Sequence, residues 1–266
     1  MTRIGGVAIG AVFSSLLLVC CRDSALQGLE SQQLPKPAPT AASVGPLSSD
    51  DPNPIQRENL LPGNPYWQDG SLASGQLEIY LSTDSQTAGG FVSVKISSDV
   101  PARVSAEIYR LGWYGGAGAR LVFSGGPYNV STQPTCPRTP GTNRVECNWG
   151  ETFFFQVADD WLSGVFLVKA KRLDGEPYKR FAPFVVRDRR PAELMYQPTF
   201  NTYQAYNAWG GASLYRGVAG RAVEVSYDRP YEEGEGAGQL FAYDYPFLRF
   251  LEKNGYDVTY ATNLDF

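Results

Sequence analysis

Phe91-Val92-Ser93-Val94-Lys95-Ile96-Ser97-Ser98-Asp99-Val100-Pro101-Ala102-Arg103-Val104-Ser105-Ala106-Glu107-Ile108 carries the pattern from which the fold class follows. Val92, Val94 and Ile96 alternate with other residues, an Asp-Val-Pro turn follows, and Val104, Ala106 and Ile108 alternate again. A period of two places one set of side chains on one face of an extended chain, which is the pattern of half-buried strands joined by a tight connection. Upstream, beyond Gly89-Gly90, the residues Leu77, Ile79 and Leu81 repeat it. Downstream, residues 152–157, 165–169 and 180–186 are further strand-like runs. Many short strands between turns predict a β-sandwich, immunoglobulin-like, over residues 73–189.

After Arg189-Arg190-Pro191 the pattern changes. Residues 193–197 and 222–227 are expected strands. Asp244 can cap a helix whose apolar positions Phe247, Leu248 and Leu251 share a face and which ends at Gly255, and residues 257–262 close as another strand. Strand, long loop, helix and strand is the beginning of an α/β domain over residues 190–266. A parallel sheet must be covered on both faces, so this domain is expected to be incomplete, with either a continuation of the gene product past Phe266 or a partner subunit completing it.

Between those strands runs Thr199-Phe200-Asn201-Thr202-Tyr203-Gln204-Ala205-Tyr206-Asn207-Ala208-Trp209-Gly210-Gly211-Ala212-Ser213-Leu214-Tyr215. It holds aromatic rings, carboxamides and a Gly-Gly pair without a charged residue. A merely structural loop would be solvated by Asp, Lys, Ser or Pro. This one reads as a semi-buried pocket wall, with Tyr203, Asn207, Trp209, Gly210 and Gly211 as candidate lining residues for a small neutral amide or similar carbonyl compound.

The chain of 266 residues has 23 Lys and Arg against 27 Asp and Glu, so it has no basic footprint for nucleic acid. It contains no histidine, which excludes a Ser-His-Asp or Cys-His site and a His-ligated zinc site within this polypeptide. Of its four cysteines, Cys136 and Cys147 bracket a Pro/Thr/Gly/Asn loop and read as a disulfide in an oxidising compartment, the alternative being two unrelated thiols.

Cys20 and Cys21 close an apolar segment that follows Arg3, and residues 1–21 have the layout of an export signal. Leu18-Val19-Cys20-Cys21 resembles a lipobox, with Cys21, or else Cys20, becoming the acylated N-terminus; a plain secretory signal is the alternative. No Asp follows the cysteine at once, which favours an outer-membrane anchor. Residues 22–72, rich in Pro, Ser and Ala, read as a disordered tether, and about 50 such residues reach roughly 40 Å.

Four phrases carry a resemblance. Glu107-Ile108-Tyr109-Arg110-Leu111-Gly112-Trp113-Tyr114-Gly115-Gly116, Thr202-Tyr203-Gln204-Ala205-Tyr206-Asn207-Ala208-Trp209-Gly210-Gly211, Ser226-Tyr227-Asp228-Arg229-Pro230-Tyr231 and Gly255-Tyr256-Asp257-Val258-Thr259-Tyr260 resemble segments of the N,N-dimethylformamidase large-subunit family. The resemblance implies a β-sandwich followed by an α/β domain related in shape to glutamine amidotransferases. It also implies hydrolysis of a simple tertiary formamide at a ferric ion held by two tyrosinates and a glutamate, with a His-Glu pair nearby. Fe(III) is a hard Lewis acid that suits phenolate and carboxylate. By the resemblance Tyr206 is one ligand. The second tyrosine falls near Ser163-Gly164-Val165-Phe166, where this chain has Phe166, and the family's His-Asp-Glu-Tyr-Trp motif is absent from the 266 residues.

Two functions follow. One is a fragment of an iron-dependent amide hydrolase, not expected to be active alone. The other is a non-catalytic exported lipoprotein that keeps the fold without the site. Simpler roles are open for the remaining motif residues. Trp113 and Tyr114 suit core and turn packing. Gly115, Gly116 and Gly118 open no helix and form no phosphate loop. Asp228-Arg229-Pro230 suits a turn with an ion pair, and Glu232, Glu233 and Glu235 suit a solvated acidic loop.

Overall fold

The computed structural model describes residues 52–266. The export signal with Cys20 and Cys21, and residues 22–51 of the expected tether, lie outside the described residues. The elements run in the order α1 (Pro54–Glu58), β1 (Ser71–Leu72), β2 (Leu77–Leu81), β3 (Ser85–Thr87), β4 (Phe91–Ser98), β5 (Ala102–Leu111) and β6 (Ala119–Val130). They continue with β7 (Phe153–Gln156), β8 (Gly164–Arg172), β9 (Tyr178–Arg187), β10 (Leu194–Tyr196), α2 (Phe200–Tyr206), α3 (Asp244–Lys253) and β11 (Val258–Tyr260).

Two sheets form a sandwich. The smaller is antiparallel, in the order β2-β4-β7; the larger runs β1-β9-β8-β5-β6, with β3 also paired to β9. The alternation in β4 has the expected outcome: Val92, Val94 and Ile96 are buried, and Val94 stands opposite Leu81 on one side and Phe153 on the other. Facing them across the core are Val104, Ala106, Ile108, Phe166, Val168 and Phe184. Each buried Val, Ile or Phe among them contributes about 1.5–3 kcal/mol by leaving water.

Alternation fails in β8 and β9, where nearly every residue is buried. The larger sheet is covered twice. Phe166, Val168, Ala170, Ala182 and Phe184 face the sandwich interior, while Val165, Leu167, Phe181 and Val185 belong to a second core shared with Phe200, Tyr203, Leu248, Leu251, Val258 and Tyr260. The C-terminal elements thus form a third layer on the back of the sandwich. Within that layer β10 and β11 are a two-stranded parallel pair.

Several expectations need correction. Residues 52–72 are not tether: α1 begins with a reciprocal Asn53–Gln56 capping box, Ile55 is fully buried, and the Asn53 amide donates to Gly255 O at 2.7 Å. Its proline content misled, because Pro54 sits in the first helical turn, where a missing N–H costs nothing. The longest strand, β6, carries no clean period because its pairing with β5 shifts register between Val104 and Ala106 and again between Ile108 and Tyr109.

Residues 222–227 form no strand. Val223 is exposed, and its amide bonds singly to Thr142 O at 2.9 Å rather than within a ladder. Tyr243, not Asp244, occupies the N-cap position of α3, and its side chain makes no capping bond. Leu248 and Leu251 are buried as expected, but Phe247 is half exposed and rests on Tyr196 and Phe250. Among the described residues no helix is long and apolar enough to cross a membrane.

Candidate functional site

The uncharged stretch expected to be a loop begins as a helix. In α2 the residues Phe200, Tyr203 and Gln204 are buried, spaced to share one face against the second core. Asp244, itself buried, accepts hydrogen bonds from the hydroxyls of Tyr203, Tyr196 and Thr199, the last at 3.2 Å. Burial first, and then the Asp244 charge, pushes the Tyr203 and Tyr196 phenols well above their ordinary range.

Beyond α2 the chain is wrapped around a guanidinium. Arg229, 1% exposed, donates to the carbonyl oxygens of Gln204 (3.3 Å), Asn207 (3.0 Å), Trp209 (3.3 Å) and Ala212 (2.9 Å), and to the Gln204 side chain at 3.3 Å. It has no carboxylate partner within ion-pair distance among the described residues, so the ion pair expected for Asp228-Arg229-Pro230 does not form. Burial without a counter-charge pushes it down to about 10. Asn207 completes the bracket. Its amide donates to Pro230 O at 2.8 Å and Gln204 Oε1 at 3.1 Å, and its Oδ1 accepts from the amides of Trp209 and Glu232.

The residues expected to line one pocket are therefore divided by other duties. Tyr203 is core, and Asn207 is a bracket. Trp209 packs edge-on against Trp149 with ring centroids 5.9 Å apart. Gly210 and Gly211, at φ +75° and +95°, lie under the 136–147 loop. A Cβ on Gly210 would stand 2.6 Å from Val145 Cγ1, and one on Gly211 2.6 Å from Arg138 Nη2. Cys136 and Cys147 are joined as a disulfide, with Cα atoms 4.5 Å apart.

Tyr206 is different. It leaves the end of α2 41% exposed and stacks on Tyr215, with ring centroids 4.3 Å apart and planes 18° from parallel. Tyr243 is exposed as well. The closely stacked Tyr215 phenol, more than burial, pushes the Tyr206 phenol upward. The open edge of the frame thus carries a stacked pair of phenols.

A ferric ion of the kind the resemblance implies needs a carboxylate beside such phenols. Asp244 is committed to its three hydroxyls, and Glu232 and Glu233 pair with Arg216 at 2.8 and 3.4 Å. Among the described residues no group of three or more His, Cys, Asp or Glu is arranged to hold a metal. Phe166 lies in the sandwich interior, stacked on Trp161 at 5.2 Å and on the opposite face of the sheet from α2, so no side chain there could join Tyr206. The phenols suit Fe(III), but the described residues do not complete its donor set.

Beneath the frame lies a void of about 10 Å³, room for about one water, bounded among others by Tyr80, Asp84, Tyr227, Arg229 and Tyr231. Asp84 Oδ2 and the Tyr231 hydroxyl are buried there without partners. Burial, with the charges of Asp228 and Asp265, pushes Asp84 up to about 8.

Away from the frame, the Glu107–Gly116 motif proves architectural. Arg110 pairs with Glu252 of α3, and Tyr114 donates to Glu58 at 2.7 Å and accepts from Arg110 at 2.9 Å. Trp113 lies beneath Arg249 and Lys253. A family model described as N,N-dimethylformamidase beta subunit-like, C-terminal, matches residues 105–266, from this motif through the Arg229 frame to β11.

The chain belongs to that family. No curated protein matches it. Among solved structures, the crystal structure of a cellulose-active polysaccharide monooxygenase from M. thermophila is similar at 12% identity and a TM-score of 0.25, over 41% of this chain and 55% of that one. At that score the likeness carries no argument. Within the N,N-dimethylformamidase-like family pattern, sequence reasoning missed Arg229 as an organiser and Arg110–Glu252 as an anchor. No local signal separates a buried arginine from a surface one; only the carbonyls gathered by folding do.

Proposed function

We propose that the chain is part of an iron-dependent amide hydrolase, in which Tyr206 is a phenolate donor to Fe(III) and the carboxylate comes from a segment outside the described residues or from a partner subunit. The observation that carries this reading is the placement of Tyr206. It is the one tyrosine of α2 turned away from the core, at the end of a helix held by the Arg229 bracket, with the Tyr215 phenol stacked on it. A small neutral amide suits the uncharged surroundings. The β10–β11 pair with α3 is, in this reading, the beginning of an amidotransferase-like α/β layer. The chain would be exported and lipid-anchored through Cys21 at the outer membrane.

The alternative, a non-catalytic lipoprotein or binding module, draws on the engagement of buried Asp244 by three hydroxyls and on the pairing of Glu232 and Glu233 with Arg216. Titrating ferric nitrilotriacetate into the purified full-length gene product separates the two. The hydrolase reading expects a visible tyrosinate-to-iron absorption band that disappears in Tyr206→Phe and persists in Tyr203→Phe. An unchanged band in Tyr206→Phe would remove Tyr206 from the site, and no band with no formamide hydrolysis would leave the binding module.

A further inference from the structure

The loop closed by Cys136 and Cys147 leaves the sandwich and lies along the whole frame. Cys147 N donates to Asp228 O at 2.7 Å, Val223 N to Thr142 O at 2.9 Å, and Asn143 Nδ2 to Arg221 O at 3.3 Å. Arg138 donates to Gly210 O at 3.2 Å, and Ser226 Oγ to Glu146 Oε1 at 3.1 Å. Cys136 and Trp209 pack with the Tyr80–Cys147–Trp149 cluster and again with Val145, Ala212 and Ala222. Segment 210–223 has few regular ladders of its own: its bridges are isolated, and Val218 and Val223 are exposed. What fixes it is Arg229 from beneath and this loop from the side.

We propose that the Cys136–Cys147 disulfide is a redox-controlled clamp that positions the tyrosine frame. Cys136 is partly exposed while Cys147 is buried, so the Cys136 side of the bond lies nearer to solvent. A thiolate of a dithiol reductant attacks Cys136 Sγ, the S–S bond breaks, and Cys147 leaves as a thiolate that takes up a proton. The second thiol of the reductant then attacks its own sulfur in the mixed disulfide, releasing Cys136 as a thiol. The protein disulfide gains two electrons and the reductant becomes a disulfide. The freed loop is no longer closed at its base, and the Arg138, Val145 and Cys147 contacts that immobilise residues 207–229 slacken. The frame is tight when oxidised and mobile when reduced. Its consequence for Tyr206 rests on the functional reading above, but the clamp itself does not.

Hydrogen exchange on the full chain, followed by mass spectrometry with and without dithiothreitol, tests the clamp without involving iron. Reduction, or the Cys136→Ser/Cys147→Ser variant, should speed exchange roughly ten-fold or more at the bonded amides of Leu214, Val218, Ala222 and Val223, with β8 and β9 still protected. Arg138→Ala/Val145→Ala, which keeps the disulfide, should loosen the same amides. Unchanged exchange in the frame would overturn the clamp. Loss of protection throughout β8 and β9 on reduction would also overturn it, by showing that the disulfide supports the whole fold. A functioning clamp with no iron band and no formamide hydrolysis would leave this inference standing and remove the hydrolase reading.

Discussion

Arg110 and Glu252, 142 positions apart, meet through parallel hydrogen bonds of 3.0 and 2.9 Å with neither side chain exposed at all. Gly112 and Gly164 make the room. A Cβ on the first would stand 2.4 Å from Glu252 Oε2 and on the second 2.8 Å from Arg110 Nε. Burial alone would lower the Arg110 pKa, but the charges of Glu252 and Glu58 hold it well above its ordinary value. Removing one partner leaves a buried charge uncompensated, so Glu252→Gln should cost about 3–5 kcal/mol in urea denaturation. Arg110→Met/Glu252→Leu should recover most of that loss.

Asp84 gives the protein a pH dependence of definite sign. Its folded pKa of about 8 lies above the ordinary 3.8, so the folded state keeps a proton that the unfolded state releases. Its contribution is full below about pH 4 and is lost progressively as pH rises through 8. Asp84→Asn should flatten this slope and stabilise the protein near pH 8 by about 1–3 kcal/mol, checked by denaturation curves between pH 4 and 9.

The two neighbouring tyrosines of α2 should behave oppositely. Tyr203→Phe removes a hydroxyl from buried Asp244 and should cost about 1–3 kcal/mol. Tyr206→Phe touches an exposed phenol and should stay within about 0.5 kcal/mol of the parent. Equal losses in the two variants would show that Tyr206 is part of the core.

Gly210→Ala should destabilise by about 1–3 kcal/mol, since the new methyl meets Val145 at 2.6 Å and the backbone has φ +75°. Val145→Ala in the same chain should restore part of the loss by making room, while the strain of the positive φ remains. Thermal unfolding of the single and double variants measures both shares.

The β-sandwich was legible because its strands have one wet and one dry side, as in β4, and period two records that directly. β8 and β9 lost the period because the C-terminal layer dries their second face. Tyr206 was singled out by resemblance, whereas the packing and backbone duties of Asn207, Gly210 and Gly211 left no mark in the letters. A glycine needed for a close approach and a glycine lining a cavity look alike in a string of letters. Arg229 was misjudged for a related reason. Its acceptors are main-chain carbonyls, which every residue carries and no sequence distinguishes.

The double covering of the larger sheet bears on how this chain can be divided. A cut near residue 190 would strip Val165, Leu167, Phe181 and Val185 of their cover and leave an adhesive wall on the truncated piece. A sandwich separated from the C-terminal layer would therefore need another cover for that wall to stay in solution.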